Sequence, residues 1–352
     1  MSRGGFLSLA SGIKERSSSM IEIENYSGPL LEVRDLSVSF PNRQGAVQAV
    51  NNVSFNLERG CILAILGESG SGKSVLLRTI LGIQASLARI SGEVRLRGTN
   101  ILKLSAKERA KISGAWVSMV FQNPMTALDP VFTVEQQIVE TLVRHTTMNK
   151  REAQARALEL LKLVHIASPE RRLKSYPFEL SGGMRQRVVI AMALACNPGL
   201  LLADEPTTAL DVTVQARVLD LLREIQQEMG TSIIFVTHDV AVAAEIADEV
   251  IVMYAGRIVE TGPIDQIIQA PKHPYTQGLL KANIEPGQKE RPVAIPGLPP
   301  NLARLPQGCA FAPRCSLATE SCAQLMPELY SVSQNHYSRC LLVKSEAMKA
   351  AS

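Results

Sequence analysis

No uninterrupted apolar run in this chain approaches the ~20 residues that cross a bilayer as a helix. The longest is Val188–Cys196, so no segment reads as a membrane span. The start, Met1–Ala10, carries one Arg and a broken apolar patch, without the continuous apolar stretch of a secretion signal. Charge of one sign is also missing. The 37 Lys and Arg against 33 Asp and Glu leave a net +4, too mild to argue for nucleic acid as a partner. Six cysteines are present, but none forms a CxxC pair. These absences point to the cytosol, where disulfides are rare and clustered thiols need another explanation.

What remains is a 352-residue chain that is 46% apolar, enough for two domains or one large domain with an appendage. Residues 1–27, with Ser17, Ser18 and Ser19, read as a flexible leader. Alternation over Leu31–Phe40 and again over Ala46–Leu57 predicts strands, and Cys61–Leu66 predicts a buried parallel strand followed by a helix to about Leu81. The span 86–178 is read as mainly helical. Its clearest helix starts after Asn149, an N-cap with Glu152 at the capping-box position. Ala153, Ala157, Leu160, Leu161 and Val164 form its apolar face, and Pro169 stops it soon after. Beyond 187 helix and strand alternate: Leu200–Ala203, a helix near 212–229, then Ser232–Thr237, as in parallel βαβ units. Val250–Met253 and Arg257–Glu260 predict a hairpin across Ala255 and Gly256. Six prolines between Pro286 and Pro306 suggest an extended linker.

The chemistry concentrates at strand ends. Gly67, Ser69, Gly70, Ser71, Gly72, Lys73 and Ser74 fit the P-loop pattern between an apolar strand and a helix. Glycines there let backbone N–H groups converge on phosphate oxygens, and the helix N-terminus adds a positive dipole. Lys73 is placed to neutralise the β- and γ-phosphates and Ser74 to ligate Mg²⁺. Asp204 and Glu205 end the buried-type strand Leu200–Ala203, where Asp204 can hold Mg²⁺ and Glu205 can polarise an attacking water. Between these motifs, Leu180-Ser181-Gly182-Gly183-Met184 runs straight into the apolar segment starting at Val188. That arrangement leaves backbone N–H groups exposed at a helix start, a site for an anion.

This order of motifs resembles the ATP-binding-cassette (ABC) ATPases over about 28–265. The resemblance implies an α/β fold: a P-loop NTPase core with an antiparallel β subdomain, a helical subdomain over about 86–178, and a small cysteine-containing extension over 266–343 before a tail, 344–352. It also implies roles. Gln122 resembles the Q-loop residue that reaches the metal, His238 the switch histidine at the γ-phosphate, and Asp211 the D-loop residue that communicates across a dimer. Phe40 sits where the family stacks an aromatic on adenine, with a core strand position as the alternative. Ser181, Gly182 and Gly183 are expected to close over ATP held by a second subunit. Trp116 and Met119 are read as core, as are Cys61 and Cys196.

Cys309, Cys315, Cys322 and Cys340 cluster in the tail. Without a CxxC pair the spacing is loose for a zinc ribbon. It resembles the C-terminal extension of ATPase subunits in dipeptide/oligopeptide importers, where such cysteines can hold a 4Fe–4S cluster. Zinc and unligated thiols remain the other readings. His273–Leu280 and the stretch around Ile295–Pro300 look like the same subfamily. The resemblance implies an ATPase subunit energising uptake of peptides or similar small solutes, peripheral on the cytoplasmic face of the inner membrane. Its expected partners are a second, related ATPase subunit, two transmembrane permeases and an extracytoplasmic solute-binding protein, with no nucleic acid. Residues 122–145 are the candidates for docking the permease. The alternative is a non-transport ABC ATPase of DNA repair or Fe–S assembly. Repair members need a long coiled-coil insertion, and none of sufficient length is visible.

Overall fold

The computed structural model describes residues 26–43, 45–208, 210–282 and 294–344. Nearly all of the expected leader, part of the proline-rich linker and nearly all of the tail after 344 lie outside them. The chain forms two compact units, neither continuous in sequence. One is built on 95–234 with 57–60 and, at its start, 26–32; the other on 33–56, 61–94 and the chain from 235 onward.

The strands lying wholly or mostly in the second unit, numbered along the chain, are β1 (Leu31–Asn42), β2 (Gly45–Leu57), β3 (Ile62–Leu66) and β4 (Arg89–Leu96). After the other unit come β9 (Glu249–Tyr254), β10 (Arg257–Pro263), β11 (Tyr330–Ser333) and β12 (His336–Ser338). β1 lies between β2 and β4. Its alternation buries Val33, Leu36 and Val38, as the sequence pattern predicts. β3 is buried at every position and pairs in parallel with β9, Leu63 opposite Glu249 and Leu66 opposite Val252. The predicted hairpin forms: Arg257 faces Tyr254 across Ala255 (φ 50°) and Gly256 (φ 79°). Two consecutive positive-φ residues are what a tight I′-type connection between twisted strands requires.

The sheet runs on into the cysteine-bearing C-terminal extension. β12 pairs antiparallel with β10, Glu260 opposite Ser338, and β11 pairs with β12. Tyr275 and Phe311 from the same segment are buried in one cluster with Leu66, Val250, Val252 and Tyr254. β11 and β12 are short and largely polar, so they carry no periodicity long enough to announce themselves.

In the first unit, β5 (Thr99–Asn100) folds back on Arg95 and Leu96 across Arg97 and Gly98. β6 (Val117–Val120) and β7 (Leu200–Asp204) are fully buried and parallel, Val117 opposite Leu200 and Val120 opposite Ala203. β8 (Ser232–Thr237) begins in this unit and crosses its boundary at Ile234. The span 86–178 is less helical than its composition suggests, since β4, β5 and β6 all fall within it, before residue 121. Helices then follow: Val134–His145 and Lys150–Leu163, each closed at its start by a capping box. Asn149 accepts from Arg151 N and Glu152 N while Glu152 accepts from Asn149 N at 2.8 Å. The predicted apolar face is wholly buried. Pro169 begins a further short helix, Pro169–Leu173, as proline at a first helical position allows.

The packing expectations divide. Met119 and Cys196 are buried, and burial pushes the Cys196 thiol up to about 11. Cys61 instead sits just before β3 and is partly exposed, because the strand starts one residue later than the apolar run. Trp116 is likewise only half-buried, lying under the Arg97 guanidinium at 5.4 Å rather than inside the core.

Candidate functional site

In the second unit, the loop after β3 is shaped by its glycines. Gly67 (φ 153°) and Gly72 (φ 105°) both lie in backbone regions that side chains avoid. A Cβ on Gly67 would run into the Met253 carbonyl, and one on Gly72 into that of Ala49. Glycine is thus required by close approach of two backbones as well as by φ. Nothing lies within 4 Å of a Cβ at Gly70, which faces open space. The helix Lys73–Leu81 starts at Gly72 with no side chain capping its first N–H groups. Ser71 Oγ is buried and has no hydrogen-bond partner. Lys73 is 5% exposed, and its Nζ donates to the carbonyls of Gly67 at 2.7 Å and Glu68 at 2.9 Å. Uncapped N–H groups, an orphaned hydroxyl and a buried ammonium together fit a phosphate chain. His238 directly follows β8, exposed, and Phe40 is half-buried near the end of β1 rather than packed in the core.

In the first unit, Asp204 ends β7 and is buried. Glu205 follows at φ 48°, an uncommon conformation for a side-chain-bearing residue and costly enough to mark functional positions. Gln122 Nε2 donates to Glu205 Oε2 at 3.1 Å, and Thr208 Oγ1 donates to the same oxygen at 2.9 Å. Two residues proposed from separate motifs, Gln122 and Glu205, are therefore in direct contact. Thr208 carries no motif role of its own in the sequence; its signal is its place three residues beyond a strand-end carboxylate. Ser181 caps the helix Gly182–Leu194, accepting from Met184 N at 3.4 Å, and is exposed with Gly182 beside it. Asp211 caps the helix Val212–Met229 and accepts from Val214 N at 3.0 Å. That cap is a structural duty beside the role that the resemblance implies for it. Between 122 and 145, Met125, Val131, Phe132 and Val143 are exposed. Gln137 holds the loop that presents Val131 and Phe132, accepting from Asp129 N and donating to the carbonyls of Asp129 and Phe132.

All four tail cysteines line one cavity, together with His273, Phe311 and Pro327. None is in a disulfide. Backbone N–H groups point at three of the sulfurs: Phe311 and Ala312 at Cys309, Leu317 at Cys315, Leu342 and Val343 at Cys340. Burial pushes those three thiols up. Among the described residues, no group of three or more His, Cys, Asp or Glu is close enough to share one metal ion. His273 braces the cavity as a neutral ring. Its Nδ1 accepts from Tyr275 N at 3.1 Å, and the ring also hydrogen-bonds the backbone of Arg339. Burial pushes its pKa down from 6.5 to about 4. Between those values the unfolded chain binds a proton that the folded chain refuses, so stability is full above pH 6.5 and falls toward pH 4. The expected loss is about 3 kcal/mol. Denaturant titrations across that range should show it in the natural chain and a flatter profile in His273→Asn; equal slopes would remove the assignment.

A family model described as ABC transporter matches residues 50–208, and one described as Oligopeptide/dipeptide transporter, C-terminal region, matches 259–322. The oligopeptide transport ATP-binding protein OppD of Bacillus subtilis (strain 168) is 49% identical over 324 residues, 91% of this chain and 90% of that protein. This chain belongs to the ABC transporter ATP-binding family. A putative peptide import ATP-binding protein of Brucella melitensis biotype 1 is 48% identical over 89% of this chain and 97% of its own. Among solved structures, a dimeric ATP-binding cassette in a post-hydrolysis state, bound to ADP and Pi, superposes with a TM-score of 0.61 at 31% identity. It covers 66% of this chain and 98% of its own. As a family member the chain is an ATPase that uses ATP with Mg²⁺ and acts as a peripheral, membrane-associated subunit beside permeases. No helix among the described residues is long and apolar enough to cross a membrane.

Proposed function

We propose that this chain is the ATP-hydrolysing subunit of an ABC importer for peptides or similar small solutes, working at the cytoplasmic face of the membrane. The observation that carries the reading is the match of both the ATPase region and the cysteine-bearing C-terminal region in one chain. Assembly-type and repair-type ABC ATPases leave that second region unexplained. Residues 67–74 hold the phosphates, with Lys73 on the β- and γ-oxygens and Phe40 against the adenine. Ser74, Gln122 and Asp204 hold Mg²⁺, which neutralises charge on the phosphate oxygens. Glu205 takes the proton of the attacking water and His238 contacts the γ-phosphate. Ser181, Gly182 and Gly183 close on ATP bound by a second, related subunit, and Asp211 signals across that interface. The exposed cap at Ser181 and the dimeric form of the solved relative support this division.

Two permeases and an extracytoplasmic binding protein complete the assembly. The exposed Met125, Val131, Phe132 and Val143 make 122–145 the segment that meets the permease, since apolar side chains held outward mark contact surfaces. Affinity purification from detergent-solubilised membranes tests the whole reading. Two polytopic permeases are expected with the chain, and recovery without any membrane protein would overturn it.

The four-cysteine cavity holds a 4Fe–4S cluster, with Cys309, Cys315, Cys322 and Cys340 as ligands. Four thiols around one apolar cavity, with N–H groups aimed at three of them, suit thiolate ligation. Zinc on the same thiols is the competing reading, and the metal content of the purified protein separates the two. Protein purified without oxygen should be brown with about four irons per chain. Colourless protein containing zinc, or no metal, would sink this assignment.

A further inference from the structure

Glu68 is the one acidic residue of the phosphate loop, and nothing in the ATP chemistry above uses it. It is held at three points. Its carbonyl accepts from Lys73 Nζ, inside the loop. The other two partners come from the cysteine-bearing segment. Its N–H donates to the hydroxyl of Tyr275 at 2.8 Å, a fully buried ring. Its carboxylate takes both arms of Arg314, Nη1 to Oε2 at 2.8 Å and Nη2 to Oε1 at 3.0 Å.

Arg314 is unusually well fixed. Besides the two bonds to Glu68, Nε donates to the Pro296 carbonyl, Nη2 to the Ile295 carbonyl and Nη1 to the Tyr254 hydroxyl. These five contacts match the five donors of a guanidinium. The side chain is 6% exposed. A bidentate, charge-assisted pair of this kind fixes direction as well as distance. Its backbone lies in the segment between Cys309 and Cys315, two cysteines that line the cavity. Tight turns run from Cys309 to Cys315, with Ala312 N on the Cys309 carbonyl, Arg314 N on that of Phe311 and Cys315 N on that of Ala312. Arg314 is thus one bond from one thiol-bearing residue and a single compact turn from another.

We propose that Arg314 and Tyr275 are positioning residues for ATP: through Glu68 they hold the phosphate loop in its binding shape, and so couple the cysteine cavity to nucleotide affinity. The loop itself supplies little stiffness, since Gly67, Gly70 and Gly72 carry no side chains to pack. An unpartnered Glu68 carboxylate would also repel the triphosphate. Because coupling between two sites is reciprocal, disturbing the cavity should weaken ATP, and bound ATP should steady the cavity.

The inference rests on 67–74 being the ATP site, and the test separates the two. Mg–ATP affinity is measured by calorimetry, and amide exchange at 67–72 is measured without nucleotide, on the full chain. R314Q should weaken ATP about tenfold and speed exchange at 67–72, with R314K recovering part of both. E68A removes the contact from the loop side, away from the cysteine cavity, and should speed the same exchange. E68A/R314Q should be no worse than R314Q alone, since both remove one interaction. Natural affinity and exchange in both single variants, or strictly additive effects in the double one, would overturn the strap while leaving the site intact. Failure of the unaltered protein to bind Mg–ATP would instead overturn the site, and the strap with it.

Discussion

Lys73→Ala should abolish ATP binding and hydrolysis while leaving the fold in place. The ammonium is almost completely buried, and its Nζ donates to the main-chain carbonyls of Gly67 and Glu68. It stands at the start of a helix whose first N–H groups no side chain caps, and a phosphate chain is the anion such a site admits. Charge-assisted hydrogen bonds contribute about 1.5–3 kcal/mol each, so losing two to the phosphates weakens ATP by two or more orders of magnitude. Removing the buried charge also removes its desolvation cost, which is why the free protein should keep its stability. The paired measurement is ATP affinity by calorimetry and the thermal midpoint without nucleotide. ATP affinity within threefold of the natural chain would refute the role given to Lys73.

The contrast with Glu68 shows where sequence reasoning works and where it stops. Lys73 was legible because it sits at a fixed offset from glycines, in a strand–loop–helix context whose physics does not depend on the rest of the fold. Asn149, the hairpin at Ala255 and Gly256, and the buried strands β3 and β7 were legible for the same reason: each is decided within a few residues. Glu68 was not, because its partners are 207 and 246 positions away. Long-range side-chain pairs leave no periodicity. How the cysteine segment joins the core is hidden from the sequence in a related way. Its composition, rich in proline and poor in long apolar runs, reads as an appendage, whereas β12 lies beside β10 and Phe311 reaches the aromatic cluster at Tyr254 and Tyr275. A few buried aromatics join it to the core, and spacing alone does not reveal which ones. Within the first unit, the Gln122–Glu205 contact joins two motifs that the sequence treats as separate, 83 positions apart.

That contact makes Glu205→Gln the sharper test of chemistry. The carboxylate oxygen Oε2 accepts from both Gln122 and Thr208, so a neutral amide oriented with its oxygen toward those donors keeps the same hydrogen bonds. The backbone strain at φ 48° is unchanged, because the two side chains share their first carbons. What disappears is the ability to take a proton from water. General-base catalysis is worth about 10²–10⁴ in rate, and turnover should fall by that much. ATP affinity should hold, since neither donor loses its acceptor and the phosphate loop is untouched. Binding without hydrolysis should then accumulate a closed, ATP-dependent dimer, seen as a shift to twice the mass on size exclusion when ATP is added. Thr208→Ala removes one donor but not the base, so it should lower turnover far less and trap no dimer. Equal losses in the two variants would mean that the site needs the hydrogen-bonded shape around Glu205, and that proton transfer to its carboxylate is not the step that Gln blocks.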